Sequence, residues 1–247
     1  MLLACTGSGT DECRGRKSVD GSDPNELSSG TYVEVTAVGL WDNLPLILLA
    51  GLLFGVICAP AVALYYMQLH AAALAVGVLT IPAGWAALLA LEGEAISGRK
   101  TTIVVMFRAL IRLWRRSVVL GMLVVVPIVS GVWVGGMLAM PEVPPGAWLG
   151  LVTDIIGLIV LLPLYLYVFP QVALYDLGVG TALSNALILA SNHISNTLGL
   201  LGMSFLFGFA VEYVSSGFLF VLPAIWGVFV VNNCRMLVEE ELEKTER

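Results

Sequence analysis

Two acidic residues lie within or at the edge of apolar segments, where a carboxylate could bind a ligand or carry a proton. Asp154 follows the interfacial residue Trp148 by six positions, about 9 Å along a helix, and Glu212 precedes the turn Ser215-Ser216-Gly217 by three. A carboxylate is costly in a membrane, so each marks a candidate site for a proton, a cation or a sugar hydroxyl. If the two segments are neighbours, the two carboxyls share one site; the alternative is ordinary solvation at the membrane interface.

A second candidate site consists of four arginines at helical spacing: Arg108, Arg112, Arg115 and Arg116. On a helix they form a stripe about 100° wide, and apolar residues such as Phe107 cover the opposite side. The pattern predicts a cytoplasmic amphipathic helix over residues 101–116 that lies on the membrane surface, because this segment is too short and too basic to span. Its arginines either contact anionic lipid headgroups or a partner subunit, or only fix the orientation of the chain.

Other polar residues give weaker signals. His193 precedes the predicted fifth span, where it is either a pH sensor or a hydrogen-bonded interfacial residue. Asp176 is predicted to pair with an arginine of the 101–116 segment. The four cysteines lack metal-ligand spacing, and the chain contains no HExxH, GxSxG or Walker sequence. The sequence therefore predicts no catalytic residue, no metal site and no cofactor.

The distribution of charge is typical of a polytopic membrane protein. Residues 43–91 contain no Asp, Glu, Lys or Arg, and six of the twelve basic residues then fall between Arg99 and Arg116. Charged residues make up 12% of the chain, against about 25% in soluble domains. The net charge of −6 comes mainly from acidic flanks at both ends, and neither flank indicates nucleic-acid binding.

The uncharged runs predict an all-α membrane bundle of six transmembrane helices. The predicted spans are 44–64, 71–91, 118–139, 148–169, 196–214 and 217–234. Each contains 18 to 22 residues, which is about 27–33 Å of helix. The first two are separated near Tyr65–His70, where tyrosines and polar side chains suit the headgroup level. A second amphipathic segment, residues 180–192, carries no charge and is predicted to pack against protein.

The chain is predicted to have three parts. Residues 1–40, rich in Ser, Gly, Thr and Asp, are expected to be a disordered cytoplasmic leader or partly a misassigned start. Residues 41–236 form the membrane domain, and residues 237–247 form an acidic cytoplasmic tail. Basic residues are concentrated between the second and third spans and absent from residues 140–147, so both termini are predicted to be cytoplasmic.

Five short motifs follow one another between residues 42 and about 235: Asp42–Pro45, Pro82–Leu88, Met106–Ser117, Tyr165–Pro170 and Ala182–Ala190. In their order and spacing the chain resembles the YesL-like family of bacterial integral membrane proteins. It departs from that family by lacking a basic residue near Ser184-Asn185-Ala186. The resemblance implies a multi-pass protein of the bacterial cytoplasmic membrane, often encoded beside carbohydrate ABC importers and polysaccharide-degrading enzymes. It carries over no catalytic residue.

Two functions from different classes follow. The leading expectation is a non-enzymatic accessory to carbohydrate import that binds an ABC permease or organises its lipids. The alternative is a small secondary transporter with an outer-side site at Asp154 and Glu212. Prolines in five predicted spans favour this alternative, as does the similarity of Pro60–Tyr65 to Pro170–Tyr175, which is either an inverted repeat or a coincidence. Small-residue faces such as Gly51–Gly55 leave open whether the chain forms a homo-oligomer.

Overall fold

The computed structural model describes residues 41, 43–97, 101–213 and 220–246, and all regular structure in them is helical. The helices are α1 (Leu44–Tyr66), α2 (His70–Ile96), α3 (Val104–Leu138), α4 (Pro145–Tyr175), α5 (Val179–Asn192), α6 (Ile194–Tyr213) and α7 (Leu222–Glu246). The predicted all-α class is confirmed. The predicted leader, residues 1–40, lies outside the described residues, as do Arg99 and Lys100.

Five helices are long and apolar enough to cross a membrane: α1, α2, α3, α4 and residues Ile194–Val211 of α6. This set is compatible with a multi-pass membrane protein. The predicted sixth span, 217–234, begins within residues 214–219, which are outside the described part of the chain. The count of six spans therefore stays a prediction.

The first two helices are separated where the aromatic and polar residues predicted a break. α1 ends at Tyr66 and α2 begins at His70. Between them Gln68 has a φ of 61°, and its Oε1 lies 3.1 Å from Nε2 of His70. A single residue in the left-handed region reverses the chain within a short turn, so α1 and α2 form a helical hairpin.

The arginine segment is not a separate helix, and the boundary predicted at Ser117 is corrected. α3 runs unbroken for 35 residues, about 52 Å, and joins the arginines to the third predicted span. Residues 104–120 contain no Gly or Pro that would end the helix. Buried side chains at Met106 and Leu113 hold this half of α3 against the bundle. The segment is therefore part of the packed fold.

Buried residues concentrate at one end of the bundle, which we call the charged end. It comprises the C-terminal turns of α2 and α4, the first half of α3, all of α5, the start of α6 and the second half of α7. Fully buried side chains there include Leu88, Leu91, Leu113 and Tyr167. The predicted acidic tail is also part of this end, because α7 continues through it to Glu246.

The opposite end, which we call the apolar end, is loosely packed. Large side chains of α3 and α4 are exposed there, including Val132, Trp133, Leu149 and Ile159. Apolar surface of this extent fits contact with lipid.

On α1, Gly51 and Gly55 pack closely against Phe220, so this small-residue face is occupied from within the chain.

Candidate functional site

Helices α2, α3, α4 and α7 surround a polar cavity at the charged end, with a volume of about 700 Å³. We call it the polar cavity. Its charged and hydroxyl-bearing lining residues are Glu94, Ser97, Arg108, Arg112, Tyr175, Asp176, Arg235 and Glu239. Side chains of both signs meet here although they are far apart in the sequence. The cavity therefore brings together ionisable groups from distant parts of the sequence.

The faces of α3 explain how the arginines reach this cavity. Over residues 106–116 the buried face consists of Met106, Ala109 and Leu113, the exposed apolar face of Phe107, Ile111 and Trp114, and the basic face of the four arginines. At about 100° per residue, the basic face lies between the other two. Arg108 and Arg112 line the polar cavity, whereas Arg115 points along the outer surface beside the apolar face.

Arg116 is held by the residue that follows α4. Its Nη1 donates to Oδ1 of Asp176 at 2.6 Å and to the Asp176 carbonyl oxygen at 2.7 Å. The two side chains are 40% and 53% exposed, so the pair contributes at most about 1 kcal/mol of stability. Its geometric effect is to fix the end of α4 against α3. The predicted pairing of Asp176 with an arginine of this segment is confirmed.

Arg235 reaches the polar cavity from α7 and is anchored to the end of α2. Its Nη1 donates to Oγ of Ser97 at 3.2 Å, and that hydroxyl donates to the carbonyl oxygen of Gly93 at 2.7 Å. Glu239, one turn later, lies 4.0 Å from Nη2 of Arg235. This ion pair is long, so the guanidinium is positioned mainly by Ser97.

Sequence reasoning missed a carboxyl in the core. Glu92 on α2 is 0% exposed and packs against Gly227 of α7, and neither of its oxygens has a hydrogen-bond partner within the described residues. The predicted span ended at Leu91 because the uncharged run ends there, but α2 continues to Ile96. Glu92 follows the buried Leu88 by four residues, and this helical spacing is the signal that would have found it.

Other buried polar groups also lie at the charged end. The amides of Asn196 and Asn233 bond reciprocally at 2.8 and 3.1 Å and join α6 to α7. The Tyr167 hydroxyl lies 3.0 Å from Oγ1 of Thr197. Gln171 is 1% exposed, and its side-chain amide has no partner in the part of the chain that the structure describes. The core of this end is thus polar as well as apolar.

His193 contacts a carboxylate of the predicted tail. Its Nε2 lies 3.3 Å from Oε1 of Glu241, and the two side chains are only 15% and 16% exposed. Lys244 donates to the same carboxylate at 3.1 Å. The hydrogen bond from Lys244, reinforced by the one with His193, lowers the pKa of Glu241. The alternative of a hydrogen-bonded interfacial histidine agrees with these contacts.

Asp154 lies on the half of α4 that belongs to the apolar end. Its Oδ2 is buried, faces Gly131 of α3 and has no hydrogen-bond partner among the described residues. The side chain of Glu212 is outside the described part of the chain, so the predicted pair stays a prediction. A mainly apolar groove of about 1050 Å³ between α1, α2, α3 and α4 includes Tyr65 and His70 in its wall, but Asp154 is not part of the described wall.

Across residues 41, 43–97, 101–213 and 220–246, no three His, Cys, Asp or Glu side chains are grouped so that they could hold a metal ion. The polar cavity is instead rich in guanidinium groups, which bind anions through charge-assisted hydrogen bonds.

The chain matches no protein-family model, no curated protein and no solved structure. Its site is therefore interpreted from its own geometry.

Proposed function

We propose that this chain is a non-enzymatic protein of the bacterial cytoplasmic membrane that assists carbohydrate import by an ABC-type permease. Six spans with both termini in the cytoplasm would place the charged end at the cytoplasmic face, in agreement with its arginines. The resemblance to the YesL-like family supports the class of partner. The exposed surface of α3 supports the mode of contact.

That surface is the single observation that carries the proposal. Ile111 is 79% exposed, and Phe107, Trp114 and Arg115 lie beside it on the same side of α3. The opposite face of the helix is buried, so these side chains are presented on a rigid support. Apolar and cationic groups side by side fit the boundary between headgroups and acyl chains, or a permease helix that ends at this level.

Charge reversal at Arg115 tests the proposal. In mild detergent, tagged protein should recover subunits of an ABC permease, and the tagged permease should recover this chain in return. We expect Arg115→Glu to lower this recovery about tenfold, since one ion pair or headgroup contact is replaced by repulsion. Arg115→Lys keeps the charge and should recover the permease as the wild type does.

Recovery of each tagged protein without the other, together with unchanged sugar uptake in a deletion strain, would reject the accessory function.

A second candidate function, a small secondary transporter, is favoured by one observation: the buried and unpartnered Oδ2 of Asp154. An unpaired carboxyl in a membrane helix is a common proton or ion site. The absence of Asp154 from the described wall of the large apolar groove weighs against an open path to it.

Asp154→Asn tests this candidate in liposomes. If Asp154 carries a coupling proton, gradient-driven uptake of sugars should fall about tenfold or more, because the amide cannot titrate. Glu142→Gln is the matched control, since Glu142 is an exposed acid in the connection between α3 and α4. Uptake equal to that of empty liposomes would exclude the transporter for the sugars tested.

A further inference from the structure

We propose that the polar cavity binds a phosphate group, held by Arg108 and Arg112 of α3 together with Arg235 of α7. The proposal concerns a different surface from the outer side of α3 and does not depend on a permease partner.

The arrangement of the three guanidinium groups supports an anion with several oxygens. Arg108 and Arg112 are one helical turn apart on α3, and Arg235 enters from a different helix, so the groups approach the same space from two sides. A carboxylate offers two oxygens, which one arginine fork can occupy. A phosphate group offers at least one more oxygen, and the planar guanidinium fork matches its geometry.

The acids of the cavity wall do not cancel this positive charge. Asp176 is occupied by Arg116 at 2.6 Å, and Glu239 lies only loosely against Arg235 at 4.0 Å. The cavity wall itself carries three arginines and three acids, and Arg116, which lies outside the wall, pairs with Asp176 and so offsets one of these acids. A phosphate can therefore take the place of Glu239 at Arg235 and pair with Arg108 and Arg112 across the cavity.

Hydroxyl groups complete the site. Ser97 holds the Arg235 guanidinium in place, so this arginine is oriented before any ligand arrives. The Tyr175 side chain also lines the cavity. A volume of about 700 Å³ exceeds what a bare phosphate needs and falls within the usual range for small-molecule sites, so the cavity has room for the organic group of a phosphate ester. Its source is either a soluble ester or the headgroup of an anionic phospholipid.

Two binding assays on the full chain in detergent distinguish these sources. In the first, glycerol phosphate is titrated calorimetrically; in the second, short-chain phosphatidic acid is compared with diacylglycerol of the same chains by native mass spectrometry. We expect saturable binding of one of the two phosphates with a dissociation constant of about 1 mM or lower, and no binding of diacylglycerol. The Arg108→Ala/Arg112→Ala variant should weaken that binding about tenfold or more.

The control is Lys244→Ala, which removes a cation at the same end of the bundle but outside the cavity, and which should bind as the wild type does. If the double variant fails to fold, as judged by circular dichroism, Arg112→Gln alone replaces it. Absence of saturable binding in both assays would overturn the proposal, as would equal losses in Lys244→Ala and the cavity variants. Because the permease test uses Arg115, either proposal can fail while the other stands.

Discussion

Replacing Gly227 with alanine is expected to lower the free energy of unfolding by about 1–3 kcal/mol. A Cβ at this position would overlap the Glu92 carboxyl group, with its Cδ at 2.8 Å and its Oε1 at 2.9 Å. Glu92 is 0% exposed, so its side chain cannot swing out into solvent to make room. Either the Glu92 side chain must adopt another rotamer within the core or α2 and α7 must move apart, and both changes disturb the packing at the charged end.

The matched control is Gly157→Ala on α4, where a Cβ meets nothing within 4 Å. This change should leave the protein unchanged or stabilise it by up to about 1 kcal/mol, since alanine is the better helix former. Unfolding of both variants is followed by circular dichroism in mixed micelles with increasing SDS.

A double-mutant cycle identifies the clashing group. Glu92→Ala removes the carboxyl that a Cβ at Gly227 would meet, so adding Gly227→Ala to this variant should cost much less than adding it to the wild type. An equal cost in both backgrounds would show that the two residues are not packed against each other.

Glu92 also shows why part of the charged end could not be predicted from the sequence. Counting uncharged runs treats the first acid as the end of a span, although a helix continues for as long as its buried face finds partners. The break around Gln68 and the helix over residues 180–192 were predicted correctly because turn residues and amphipathic spacing are local signals. A buried charge is a tertiary property, and here it depends on a glycine in another helix.

The lining of the polar cavity was likewise only partly predictable from the sequence. The spacing of Arg108 and Arg112 predicted a basic helix face, and the pairing of Asp176 with this segment was predicted from its charge and its place on the same side of the membrane. Arg235 lies far along the chain and shares no motif with them, so only the fold brings it to the same space. Predictions for Glu212 and the sixth span concern residues that are wholly or partly outside the described part of the chain.

Leu113→Ala is expected to destabilise the protein by about 2–5 kcal/mol, while Ile111→Ala should change its stability by no more than about 0.5 kcal/mol. The two residues are two positions apart on α3 and have the same volume, but Leu113 is 0% exposed and Ile111 is 79% exposed. Truncating Leu113 leaves a cavity against the bundle, whereas truncating Ile111 removes atoms that are mostly exposed.

Comparing the Leu113→Ala and Ile111→Ala variants distinguishes the continuous α3 of the structure from the separate surface helix that the sequence predicted. A helix that only lies on the membrane contributes little to the unfolding of the bundle, so both truncations would then have small and similar effects. A large loss confined to Leu113→Ala requires the arginine segment to be packed into the fold. The measurement is the free energy of unfolding of both variants in the same micelles, with helix content checked before denaturation.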